Sequence, residues 1–377
     1  MEASHQISSQ RERLHCLDSL RGIACLIVLV GHTIGTFAWD SSIYRLFLIN
    51  NLIDGRSAVT FFFVLSGFVL TFSSFGKGAR PLLIVPFFMR RVTRIWIPWF
   101  FFFLVSWLTK EFIPLPPQDS LSQSQLVFWS ADGTMMDFLK QCLFLLKDNS
   151  KALIPQDWSL RVEMRAAVII PVMILLTRKS RYLLAIFSVI LLVLIPRTGH
   201  YYLSFVVGVY IGYLYSTKSP KGRWPVCFLI LGYILYQAQW AGAQITADIP
   251  LFVSKDMIWV LSSIGCGLLM LGVLTHHRVR DIMEAKFLGY LGRISFSLYL
   301  VHLIVLLRFA PWIMNQVKLW GIEEVFLQQA IVVTGVCLIS FVLADLGERF
   351  VERPCIALGR ITTRLIKKRP FLSGIKV

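Results

Sequence analysis

Charged residues are scarce in this chain of 377 residues. Asp, Glu, Lys and Arg make up 16% of it, whereas soluble globular proteins average about 25%. Hydrophobic residues make up 56%, with 29 Phe and 11 Trp, and the mean hydropathy is +0.67. The apolar residues form runs whose length is close to that of a transmembrane helix, about 20 residues. These features exclude a soluble, disordered or fibrous protein and predict an all-α, polytopic membrane protein.

The chain also lacks paired cysteines, internal repeats and low-complexity tracts. None of its seven Cys forms a CxxC pair and most lie in apolar runs, which favours small buried side chains over disulfides or metal ligands. Nothing at the N-terminus resembles a cleavable signal, because the first apolar run is itself a span. We therefore expect a single membrane domain over 1–377, with a core at about 14–356, a short cytoplasmic tail at 357–377, and no bound metal or permanent cofactor.

Ten segments are apolar enough to be transmembrane helices. They lie at 22–39, 57–75, 95–109, 160–176, 182–196, 200–216, 224–241, 257–275, 294–311 and 325–346. One long loop, at roughly 110–159, interrupts them. This leaves no room for an additional soluble domain.

The basic residues predict how these spans are oriented. With the N-terminus in the cytoplasm, 26 of the 38 Lys and Arg fall on the cytoplasmic side, nine on the other side and three within spans. This asymmetry follows the positive-inside rule and predicts that both termini are cytoplasmic. It also accounts for the net charge of +17 without a nucleic-acid partner, which would need a basic face on a soluble domain.

The first span carries two ionisable residues on one face. Arg21 and His32 are 11 residues apart, about three helical turns or roughly 16 Å. We expect Arg21 at the cytoplasmic mouth, paired with Asp18 one turn earlier, and His32 in the outer half of the span. A lone histidine in a span more often makes a helix–helix hydrogen bond than a catalyst, but the aligned arginine favours function.

The next two spans offer less decisive signals. Ser66 and Gly67 are small enough to let another helix approach closely, which would make them packing residues. The alternative is that Ser66 lines a substrate path. Arg91 and Arg94, together with Arg90, either anchor a span at the cytoplasmic surface or clamp the phosphates of a cytosolic ligand. Spacing alone does not separate these alternatives.

The fourth span begins Asp157-Trp158-Ser159 and places Glu163 just inside the outer face. We expect Glu163 at a depth similar to that of His32, where a carboxylate would support an imidazole acting as general base or nucleophile. The plainer interpretations are an ion pair for Glu163 and a helix cap for Ser159.

Two further histidine signals are weaker. His302 lies within a span, after Tyr299, and a structural role is slightly favoured over a catalytic one. His276 and His277 lie in a loop without other ligands, which is weak evidence for a metal site.

Taken together, these motifs resemble the acyltransferase 3 family of integral-membrane acyltransferases, which includes bacterial O-antigen and Nod-factor O-acetyltransferases. The matching motifs run in family order from residue 17 to 354. They are Leu17-Asp18-Ser19-Leu20-Arg21-Gly22 with His32, Phe62-Phe63-Val64-Leu65-Ser66-Gly67-Phe68, Arg91-x-x-Arg94, Trp158-Ser159-Leu160-x-x-Glu163, Ser295-Phe296-Ser297-Leu298-Tyr299-Leu300-Val301-His302 and Glu352-Arg353-Pro354. One departure is Arg165-Ala166-Ala167, where the family often has an aromatic pair.

The resemblance implies an enzyme of the bacterial inner membrane. Its donor would be acyl-CoA, usually acetyl-CoA, from the cytosol, and its acceptor a hydroxyl of a glycan or lipid-linked sugar. It implies His32 and Glu163 as catalytic residues, and Arg21, Arg91 and Arg94 as the coenzyme-binding residues. The substrate path would include Asp18, Ser66, Trp158, Ser159, Tyr299 and His302. His32 would either deprotonate the acceptor or carry the acyl group itself.

Two other classes are compatible with ten spans. A transporter would usually show repeat symmetry and paired broken helices, which the sequence lacks. A non-catalytic scaffold would tolerate the loss of Arg21, His32 and Glu163 without any effect beyond folding.

Overall fold

The structure is a computed structural model that describes residues 14–36, 54–76, 79, 81–110, 135–142, 154–195, 198–218, 224–239, 241 and 255–367. Within these ranges the regular elements are helices. They are α1 (His15–Ile34), α2 (Gly55–Thr71), α3 (Ile84–Arg91), α4 (Ile97–Lys110), α5 (Met135–Cys142), α6 (Asp157–Lys179), α7 (Arg181–Leu194), α8 (Gly199–Lys218), α9 (Pro225–Tyr236), α10 (Lys255–Thr275), α11 (His277–Met283), α12 (Lys286–Leu319), α13 (Val325–Gly347) and α14 (Arg353–Lys367). Two π-helical segments, π1 (Val92–Trp96) and π2 (Glu348–Glu352), join α3 to α4 and α13 to α14.

Six helices in the described ranges are long and apolar enough to cross a membrane, compared with the ten predicted spans. They are His15–Ile34, Gly55–Ser74, Ile84–Thr109, Met257–Thr275, Lys286–Leu319 and Val325–Lys367. Two shorter apolar helices, α7 and α9, accompany them. The protein is thus an all-helical integral membrane protein, while the number of ten spans and the cytoplasmic termini stay predictions.

The third predicted span began too late along the chain. The helix does not start at residue 95 but at Ile84, and π1 carries it without a break through Arg91 and Arg94 into α4. The charged residues had interrupted the apolar run and masked its first turns. Arg91 therefore lies about 10 Å along the helix axis from its first residue, Ile84, at a rise of about 1.5 Å per residue.

Helices α1 and α12 are packed in parallel at a contact between two glycines. A Cβ atom on Gly22 would lie 2.6 Å from the backbone nitrogen of Gly292, and one on Gly292 would overlap the carbonyl oxygen of Asp18. Three residues further along both helices, the Cys25 thiol donates to the carbonyl of Ser295 at 3.2 Å. The register is constant, because each of these pairs is separated by the same 270 positions.

Close glycine contacts also fix two other helix pairs. Helix α8 runs parallel to α2, where a Cβ atom on Gly67 would overlap the carbonyl of Phe205 and Ser216 donates to the carbonyl of Phe72 at 2.7 Å. Helix α10 runs antiparallel to α9, with Gly232 against Gly265. Strict alternation of the predicted spans requires these relative directions.

We predict that Gly292→Ala destabilises the protein, whereas Gly289→Ala on the same helix does not. A methyl group at 292 would overlap backbone atoms of α1, at a cost of about 1–3 kcal/mol. A methyl group at 289 would have no atom within 4 Å. The measurement is the thermal unfolding midpoint in detergent, and equal midpoints for the two variants would contradict the close packing of α1 and α12.

Candidate active site

A cavity of about 90 Å³ lies where α1, α2, the α3–π1 junction, α6 and α12 meet. Both polar and aromatic side chains form its wall. Its polar lining residues are Arg21, Ser66, Arg91, Arg94, Ser159, Glu163, Ser295 and Tyr299. Seven of the eleven residues predicted as site residues thus share one cavity, although they come from five separate stretches of sequence.

Glu163 lines this cavity and connects three helices. Its Oε1 atom accepts a hydrogen bond from Arg91 Nη1 at 3.0 Å and another from the Ser66 hydroxyl at 3.0 Å. Arg91 is buried, and about a quarter of the Glu163 side chain is exposed. A carboxylate is needed here because a buried guanidinium without a partner would be costly.

The partners of Glu163 differ from the one expected. We expected its carboxylate to support the imidazole of His32, but it accepts from Arg91 and Ser66. The imidazole of His32 instead faces His302. The relative depth of Glu163 and His32 in the membrane stays a prediction.

Ser159 lies one helical turn before Glu163 in α6. It forms a hydrogen bond with Tyr299 of α12. The two hydroxyl oxygens are 2.6 Å apart, and both residues are buried. The backbone carbonyl of Gln156 accepts from the Tyr299 hydroxyl at 3.2 Å. The N-cap position of α6 is Gln156, so Ser159 is not the helix cap that its sequence context suggested; it ties α6 to α12.

His32 and His302 form a pair next to Tyr299. His302 Nε2 lies 3.3 Å from His32 Nδ1, and the ring centroids are 5.3 Å apart. His302 Nδ1 lies 2.8 Å from the carbonyl oxygen of Tyr299, and the Tyr299 ring lies 5.5 Å from the His302 ring. The pair is therefore in contact with Tyr299, which lines the cavity.

The comparisons with known proteins place this arrangement in a family. A family model for an acyltransferase domain, that of acyltransferase 3, matches residues 14–345 of the 377. The chain belongs to the acyltransferase 3 family. No curated protein and no solved structure matches it. The matched range contains every lining residue of the cavity and both histidines of the pair, so the site lies within the acyltransferase domain.

The remaining predicted site residues of this acyltransferase surround the cavity and the histidine pair. Asp18 Oδ1 accepts from Arg21 Nη1 at 3.1 Å, as the one-turn spacing predicted. Trp158 packs edge-to-face on Phe63, with centroids 6.3 Å apart, and lies 5.2 Å from the ring of Tyr201. Trp158 is thus part of the aromatic packing that holds the start of α6.

Sequence reasoning assigned no role to the acidic cluster of the C-terminal helices. Glu352 in π2 is buried and accepts from the Ser297 hydroxyl at 3.1 Å. One turn earlier, Glu348 is buried and pairs with Arg353 at 2.7 Å and Arg293 at 3.6 Å. The Glu352-Arg353-Pro354 motif was the available signal, and its contacts show that it ties π2 to α12. Within the described ranges no group of His, Cys, Asp and Glu is arranged to hold a metal ion.

We predict that Arg91 and Glu163 are energetically coupled. Replacing either one by Met leaves the other charge without its partner, whereas replacing both removes the whole ion pair. Unfolding measurements on Arg91→Met, Glu163→Met and the double variant should give a coupling energy of about 0.5–3 kcal/mol. We expect the lower part of that range, since solvent reaches the exposed quarter of the carboxylate. Additive effects would mean that the ion pair contributes nothing to stability.

Proposed function

We propose that this protein is a membrane O-acyltransferase of the bacterial inner membrane. It transfers an acyl group, in the simplest case acetyl, from cytosolic acyl-CoA to a hydroxyl of a glycan or lipid-linked sugar. The observation that carries the proposal is the continuity of the site. An arginine-lined cavity reaches Tyr299, and the His32–His302 pair lies behind that residue.

Electrostatics support a polyanionic donor. Three guanidinium groups and one carboxylate line the cavity, from Arg21, Arg91, Arg94 and Glu163, which leaves an excess of positive charge. Glu163 orients Arg91 through a 3.0 Å contact, while the Arg94 side chain is exposed. Guanidinium groups bind phosphate in bidentate geometry, so Arg94 is the first of the three to meet the phosphates of CoA.

The dimensions of the cavity support a linear group rather than a nucleotide in its interior. Its volume of about 90 Å³ holds a narrow chain, so the nucleotide of CoA would stay at the arginines and the pantetheine arm would enter. From Ser295, which lines the cavity, to His302 is two turns of α12, or about 10 Å. The arm would thus bring its thioester towards the histidine pair.

The chemistry at His32 has two balanced forms. As general base, His32 takes the proton of the acceptor hydroxyl while the oxygen attacks the thioester carbonyl; the C–S bond breaks, and the proton passes to the departing thiolate. As nucleophile, the imidazole nitrogen attacks the carbonyl first and the thiolate leaves; the acceptor hydroxyl then attacks the acyl-imidazolium, gives its proton to the thiolate and releases the neutral imidazole. We favour the general base because it needs no additional covalent step.

The competing functions gain no support. Membership of an acyltransferase family does not favour transport. A scaffold would not require three arginines to line one cavity, since a buried cation such as Arg91 is expensive within a membrane protein.

We predict that His32→Ala abolishes acyl transfer, with a loss of about 100-fold to 10,000-fold, because a general base contributes about that much. The measurement is the incorporation of label from radioactive acetyl-CoA into glycan and lipid of membranes that contain the protein. The matched control is His277→Ala, an exposed histidine of α11, which should label at the wild-type rate. Full labelling by His32→Ala would refute the assignment of His32.

We predict that Arg94→Ala raises the KM for acetyl-CoA about tenfold and changes kcat much less. The loss of one charge-assisted contact to phosphate is worth about 1.5–3 kcal/mol, reduced here by exposure to solvent. Arg90 is the matched control, because it is exposed on the same helix and is not among the residues that line the cavity. Equal KM values for Arg90→Ala and Arg94→Ala would show that the charge of the cavity does not bind the donor.

A further inference from the structure

We infer that His302 is a positioning residue, which holds the proton of His32 on Nδ1 and so leaves the lone pair of His32 on Nε2 for the reaction. This inference rests on the proposed function, in which His32 is the general base or acyl carrier. It adds a role for a residue whose sequence context slightly favoured a structural one. The juxtaposition that carries it is a line of three polar groups, from the Tyr299 carbonyl through His302 to His32.

The first step assigns the proton of His302. A carbonyl oxygen can only accept, so the ring nitrogen that lies 2.8 Å from the Tyr299 carbonyl must donate. His302 therefore carries its hydrogen on Nδ1. In a neutral imidazole the other nitrogen is then an acceptor, so Nε2 of His302 holds a lone pair.

The second step assigns the proton of His32. His302 Nε2 lies 3.3 Å from His32 Nδ1, and a hydrogen bond between them needs one donor. Because His302 Nε2 is the acceptor, His32 Nδ1 is the donor. His32 Nε2 is then unprotonated, which is the state that a base or a nucleophile requires.

The surroundings hold this line of groups in place. His302 is buried, with 1% of its surface exposed. Gln156 donates its amide hydrogens to the carbonyls of Tyr299 and Leu300, at 3.2 and 2.8 Å, and so fixes the acceptor. The Gly22–Gly292 contact, about three turns earlier on both helices, fixes the register of the two histidines. The His302 ring cannot turn without losing its hydrogen bonds in a buried position, which costs about 1–3 kcal/mol.

The test compares His302→Gln with His302→Leu, two side chains of similar size. The amide of Gln can donate to the Tyr299 carbonyl and accept from His32 Nδ1, whereas Leu can do neither. With radioactive acetyl-CoA and membranes that contain the full-length protein, we expect His302→Leu to lower kcat about tenfold to 100-fold, the usual effect of losing an orienting partner. We expect an unchanged KM for acetyl-CoA and at least a fivefold recovery of kcat in His302→Gln. Equal kcat values for the two variants would overturn the inference.

Two further measurements separate this inference from the proposed function and from misfolding. If His32→Ala keeps full activity, the proposed function fails; if it is inactive while His302→Leu keeps the wild-type kcat, only the positioning role fails. The unmutated protein tests the proton directly. In its 15N solid-state NMR spectrum, with signals assigned by their loss in His32→Ala, we expect Nδ1 of His32 to be protonated and Nε2 to be bare. A proton on Nε2 would refute the inference even if His302→Leu did not fold.

Discussion

The approach of α1 to α12 at Gly22 and Gly292 is the constraint on which the rest of the site depends. With no side chain on either residue, the two backbones come into direct contact. Since the helices are parallel, this one contact sets the register for several turns in both directions. It places Cys25 at Ser295 and His32 at His302. It also leaves Arg21, one residue before the contact, on the wall of the cavity. Small residues at helix interfaces commonly serve such close packing in membranes.

Charge pairing decides which cations are structural and which are available to a ligand. Glu163 engages the buried Arg91 together with Ser66, and the cluster around Glu348 engages Arg293 and Arg353. The charges of these pairs are compensated within the protein. Arg94 is on the exposed side of the same π-helical junction. Such π segments often mark functional sites, and here the segment lets Arg91 face inward while Arg94 meets the mouth of the cavity.

Some of this site could be predicted from the sequence, and the rest could not for a physical reason. The one-turn spacing of Asp18 and Arg21 predicted their ion pair, and the family motifs contained most of the residues that line the cavity. The Arg91–Glu163 pair was not predicted because hydropathy ends a span at its first charges, whereas the helix continues through Arg91, whose charge a carboxylate compensates. The His32–His302 contact joins residues 270 positions apart. The pattern of residues within one helix cannot predict which residue of another helix lies beside it. That register depends on which two spans touch and on where their glycines lie.

A chain of neutral groups suits a base that must work inside a membrane protein. In soluble enzymes a buried carboxylate often orients the histidine, but an ionised carboxylate removed from water carries a large desolvation cost unless a cation compensates it. Here the carboxylate of the site, Glu163, is already committed to Arg91. A backbone carbonyl and a second imidazole can orient His32 without burying any net charge in the resting enzyme. In the proposed reaction, charge would develop at the pair only while a proton is in transit, and the arginine-lined cavity nearby would hold the anionic donor.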